Sequence, residues 1–114
     1  MQEERGTTMT SRGTTPTYIL TFPDTIDLTT MDDIRVTIAD SSYNNLLTFE
    51  KADLTIDTTS ISVFLTQEQT LALPLGTLLI QVNMTFTEGS KVKRIASEIV
   101  RVQSAKNLFE EVMS

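Results

Sequence analysis

The sequence predicts an all-β fold, a small antiparallel β-sandwich of Ig-like type, and three observations carry that expectation. Segments in which apolar and polar residues alternate recur with turn signals roughly every 8 to 12 residues, the rhythm of short strands joined by hairpins. About twenty of the 114 residues are threonine, and β-branched side chains suit a half-buried pleated surface. The densest apolar stretch, Ile61 to Phe86, reads as a strand, a crossing connection and a second strand. The competing reading is an α+β domain whose last segment is one long helix on a sheet.

In chain order, residues 1–17 (MQEERGTTMTSRGTTPT) lack apolar periodicity and are expected to form a flexible or extended N-terminal arm. The sandwich domain is expected over 18–103. It opens with Tyr18, Leu20 and Phe22 on one strand face, ending at Pro23 and Asp24. Ile26 and Leu28, in a loop, are expected to plug the end of the core. Ile34, Val36 and Ile38 mark a second strand, and a weaker one runs from Leu46 to Lys51. Leu54 and Ile56 follow on one face of the next segment. Within the dense stretch, Ile61, Val63 and Leu65 alternate in one strand, and Leu78, Ile80, Val82, Met84 and Phe86 in the other. Leu65, Ile80, Val82 and Phe86 are the expected core. Between these strands, Thr66 and Gln69 have capping-box spacing and predict a helical turn over Gln67 to Thr70, stopped by Pro74 and Gly76.

A hairpin loop is expected at Thr87 to Ser90, with Gly89 supplying positive φ. Residues 91–102 fit a strand, though Ile95, Ile99 and Val102 also fit a helical stripe; strand is preferred because a hairpin feeds it. Residues 104–114 read as a short C-terminal helix capped by Ser104, with Leu108, Phe109 and Val112 on its apolar face.

Composition bounds the chemistry. The chain suits one domain able to bury roughly two-thirds of its unfolded surface. It contains neither cysteine nor histidine, which removes disulfides, thiolate sites, histidine-based acid–base work and the usual zinc ligands. A net charge of −6 argues against a nucleic-acid surface. Lys91, Lys93, Arg94 and Arg101 form a local exception, expected to spread over both strand faces at a solvated strand end. No apolar run approaches the roughly 20 residues that span a bilayer, and no hydrophobic signal segment is visible, so a cytosol-like compartment is expected unless a larger assembly carries the chain out. Asp24, Asp27, Asp32 and Asp33 lack calcium-loop spacing. Glu50, Asp53 and Asp57 show no readable acid–base environment. Asn83-Met84-Thr85 matches a glycosylation sequon inside a predicted strand, and the dispersed glycines form no phosphate loop. Accordingly no catalytic, cofactor-binding or metal site is expected, and no enzyme activity.

Four motifs point further: Arg12-Gly13-Thr14-Thr15-Pro16-Thr17, then Leu65-Thr66-Gln67-Glu68-Gln69-Thr70-Leu71, Ile80-Gln81-Val82, and Ile95-Ala96-Ser97-Glu98-Ile99. In this order and spacing they resemble a family of small structural-type proteins of tailed phages and prophages of Gram-positive, often gut, bacteria. A weaker similarity is to the N-terminal domains of phage upper baseplate proteins. The resemblance covers the chain from Arg12 onward; eleven residues before Arg12 and a longer DLTTMDD loop depart from it. It implies a structural component of a tailed bacteriophage virion, in head, neck, tail or baseplate. Such a protein works through contacts with other phage structural proteins, as a homo-oligomer within an assembly, without nucleic acid or membrane. It would reside in the virion, and in the host cytoplasm before assembly. The alternative is a phage-encoded inhibitor of a host defence protein. Arg12, Gly13, Thr14, Thr15, Pro16 and Thr17 are the expected partner-binding arm, since proline leaves an extended backbone free to pair with a neighbouring sheet edge.

Overall fold

The computed structural model describes residues 8–113, and these form nine strands in two sheets, with one α-helical turn and two 3₁₀ turns in the connections. The strands are β1 Thr8–Ser11, β2 Thr17–Thr21, β3 Asp33–Asp40, β4 Asn45–Phe49, β5 Thr55–Ile56, β6 Ser60–Phe64, β7 Gly76–Glu88, β8 Lys91–Ala96 and β9 Val100–Ala105. The larger sheet has the order β1-β9-β7-β3-β4, with β8 also on β7; the smaller is β2-β6-β5. All pairings are antiparallel except β1 with β9. The protein is therefore all-β.

β7 is the spine. At thirteen residues it outruns every neighbour, because its alternation persists from Leu78 to Phe86 without a turn residue. β3 lies along one flank, from Thr85 to Leu78. The other flank is shared, with β9 against Gly76 to Ile80 and β8 against Asn83 to Glu88. Side chains with period two point from both sheets into a single core. Leu20, Ile61 and Val63 come from the smaller sheet, and Ile34, Val36, Ile38, Ile80 and Val82 from the larger. The dense stretch thus splits between the sheets, and its connection carries the chain from one layer to the other.

Leu65, Ile80 and Val82 are buried, whereas Phe86 is half-buried against the core's edge, because β7 there has passed the start of β3 at Asp33↔Thr85. Leu28 is fully buried at the end of the core and Ile26 partly so. Asp27 caps the 3₁₀ turn Leu28–Thr30, accepting the Thr29 amide at 3.0 Å. At the β3–β4 turn Tyr43 adopts φ +67, a conformation held by the Asp40 carboxylate, which accepts the Ser42 and Asn44 amides. Those bonds lower the Asp40 pKa.

Three expectations are corrected. Residues 8–17 are not a free arm: β1 forms a parallel ladder with β9, and β2 begins at Thr17. Counting apolar area overlooked an unpaired β9 edge able to satisfy the backbone of a polar strand. Residues 1–7 of the expected arm lie outside the described residues. The single strand over 91–102 is two strands, broken at Ser97. The helix expected after Ser104 is also replaced: Ser104 belongs to β9, opposite Gly76 and Thr10, and residues 106–113 form an irregular strap. A ladder residue cannot serve as N-cap, and so short a helix has little intrinsic stability to compete.

Candidate functional site

The four motifs meet in two joints. In the first, Arg12 to Pro16 packs on the turn that follows β6. That turn, α1 Gln67–Leu71, is closed by the expected capping box: the Gln69 amide donates to Thr66 Oγ1 at 3.2 Å, and the Thr66 amide to Gln69 Oε1 at 2.9 Å. Thr70, on its buried face, is inaccessible to solvent. Its hydroxyl accepts the Gly13 amide at 2.9 Å and donates to the Thr14 carbonyl at 2.8 Å. The Leu65 amide reaches the Pro16 carbonyl at 3.0 Å. Gly13 has φ +84, and a Cβ there would sit 3.3 Å from Leu71 Cδ2, so both the conformation and the close approach ask for glycine.

The strap over 106–113 closes this joint. Arg12 donates to the Leu71 carbonyl and, at 2.9 Å, to Glu110 Oε1. Asn107 Nδ2 donates to the Arg12 carbonyl at 3.0 Å, and Gln67 exchanges two hydrogen bonds with the backbone of Met113. Of the residues expected to bind a partner, Arg12, Gly13, Thr14 and Pro16 therefore hydrogen-bond within the chain, and Thr17 pairs with Phe64. Thr15 is exposed.

The second joint fills the gap between β8 and β9 on the flank of β7. The Ser97 amide donates to the Val82 carbonyl at 2.8 Å, the Val82 amide to Ser97 Oγ at 3.0 Å, and Gln81 Nε2 to the Ser97 carbonyl at 2.9 Å. One serine thereby completes the ladder that the break leaves open.

Four of the carboxylates weighed as ligands or acid–base pairs have local tasks. Asp27 and Asp53 cap turns, Asp32 accepts the Thr87 hydroxyl at 2.6 Å, and Asp33 stands 3.4 Å from Arg35. Among the described residues no three acidic groups gather as a metal cage. A groove of about 420 Å³ opens between the 25–31 loop and the far end of β7, with Ile26, Met31, Phe86 and Ile95 among its lining. A smaller hollow of about 100 Å³ lies on the outer face of the larger sheet, beside Ala39, Tyr43 and Leu79.

Inside, β1 meets β2 through a hydrogen bond between the hydroxyls of Thr10 and Tyr18, with Ser104 Oγ buried nearby on β9 and without a partner among the described residues. Sequence reading missed this pair because Thr10 carries no apolar signal. Burial pushes the Tyr18 hydroxyl above its ordinary value near 10.0, the bond to Thr10 opposing it. The neutral form is favoured in the fold, so this stability is fully present below the unfolded pKa and is lost as pH rises through the folded one. Alkaline melting should show a decline in Tm beginning around pH 10, and Tyr18→Phe should flatten it. An unchanged decline in Tyr18→Phe would assign it elsewhere.

Replacing Thr70 by valine keeps the shape but strands the Gly13 amide and the Thr14 carbonyl, and is expected to cost about 1–3 kcal/mol in urea titration. A change within about 0.5 kcal/mol would mean that water replaces the hydroxyl at this joint.

No protein-family model, curated protein or solved structure matches the chain.

Proposed function

We propose that this chain is a structural component of a tailed bacteriophage virion, acting through protein–protein contacts. The observation that carries the reading is how the motif residues are used. Arg12, Gly13, Thr70, Gln81 and Ser97, the polar and glycine positions of motifs that resemble the phage family, all join one element to another. Motifs spent on joints suit a scaffold whose working surface is its outline. Among the described residues that outline includes unpaired sheet edges at β4, β8, β2 and β5, the groups by which one β-domain adds to another.

The Ig-like reading of the sandwich belongs to the same proposal. Its support is the strand order: β2-β6-β5 faces β9-β7-β3-β4 across one core, as B-E-D faces G-F-C-C′ in a variable-type domain. Here the β7–β8 hairpin is the addition.

The test is mass spectrometry of gradient-purified particles from a lysate of the producing phage or prophage. A virion component co-sediments at fixed stoichiometry with the other structural proteins. Recovery only in the soluble lysate would overturn the proposal and favour the inhibitor reading.

A further inference from the structure

We propose that the β8 edge of one copy of this chain pairs with the β4 edge of a second copy, continuing the larger sheet from molecule to molecule. The inference sharpens the self-assembly contained in the virion reading. It is drawn from the isolated chain, so its failure and the failure of that reading are separate results.

Among the described residues both strands are free on one side: β4 pairs only with β3, and β8 only with β7. Their lengths match, at five and six residues. The orientation of the free backbone groups on β8 follows from its turn. Glu88 and Lys91 flank a two-residue turn with Gly89 first, at φ +64, so the Lys91 amide faces Glu88. Alternation then turns the amides of Val92 and Arg94 outward. The Val92 side chain is 73% exposed.

Charge selects the partner edge. β8 carries Lys91, Lys93 and Arg94, and the only carboxylate on its hairpin tip, Glu88, is an exposed partner of Lys93 at 3.0 Å, a weak tie that leaves the cations available. β4 (NLLTF) has no charge of its own. It lies between Asp40 at one end and Glu50 and Asp53 at the other, while the neighbouring Lys51 is turned onto the Met31 carbonyl. Two β8 edges would set cations against cations, and two β4 edges would set carboxylates against carboxylates. Of the pairings that these two edges allow, only the crossed one brings opposite charges together, and the other acid-flanked edge, β5, is only two residues long. Edge cations usually bar any second strand; here they bar a second β8 and admit an acid-flanked neighbour. Because β8 and β4 lie on opposite edges of the sheet, the contact is heterologous. Repeated, it closes into a ring or runs on as a filament.

Sedimentation velocity over a concentration series tests this with three proteins: the wild type, Lys91→Glu/Lys93→Glu/Arg94→Glu, and Leu46→Lys/Thr48→Lys. All the substituted side chains are exposed, and circular dichroism checks that each variant folds. The wild type is expected to form species larger than a monomer, weakening as salt is raised. Each variant should lose roughly tenfold or more in affinity, and an equimolar mixture of the two should recover association, the unaltered β8 of one variant meeting the unaltered β4 of the other and the two altered edges carrying swapped charges. The proposal is overturned by a wild type that stays monomeric at every concentration, which would leave the edge to a different protein. It is equally overturned by salt-independent association, by either variant associating like the wild type, or by a mixture that stays monomeric.

Discussion

Ile80→Ala is expected to lower the free energy of unfolding by about 2–5 kcal/mol, the range for emptying a well-packed aliphatic site. Ile80 is 2% exposed and sits mid-spine, opposite Ile38 on one flank and Val100 on the other, so no neighbour can move in without breaking a ladder. Phe86→Ala provides the internal contrast. Although the side chain is larger, its half-exposed position past the start of β3 should make the loss smaller than that of Ile80→Ala. Chemical denaturation of both variants beside the wild type measures the pair. The reverse order would mean that the β7–β8 hairpin folds down on the core more tightly than the structure shows.

Deleting residues 1–11 is expected to cost on the order of 3 kcal/mol, the sum of a short ladder and a stranded buried hydroxyl. The deletion removes β1, uncovers the β9 edge and deprives Tyr18 of Thr10. A terminus without structural duty would instead come off with no change in melting temperature. Thermal and urea unfolding of the shortened chain separates the two outcomes.

That deletion also marks the limit of what residues alone convey. Strands whose inward positions are Ile, Val, Leu or Phe are legible, as at Ile34 to Ile38 and along β7, because burial of one face writes a period of two. The α1 capping box is legible for a different reason: Thr66 and Gln69 satisfy each other within four residues. β1 writes no such pattern. Its inward residue is Thr10, its outward one Met9, and its partner lies at the far end of the sequence. Ser104 misled in the complementary way, since a serine before a short amphipathic run is an N-cap signal unless a ladder already holds it. The joints were visible as motifs but not as joints, because hydrogen bonds such as Gly13 to Thr70 connect residues 57 positions apart.

The parallel pairing of β1 with β9 also constrains the order in which the protein can be made. Asn107 and Arg12, which meet beside that ladder, are separated by 95 positions, so β1, once synthesised, waits for β9. Until β9 has emerged, β1 has no ladder and Tyr18 no hydroxyl partner from it. The spine can pair with β3 earlier, but its second flank is also supplied only by β8 and β9. Loop closure over nearly the whole chain is entropically costly and slow. Completion of the fold therefore waits for β9, and until then the nascent chain carries open strand edges that a neighbouring nascent copy can reach.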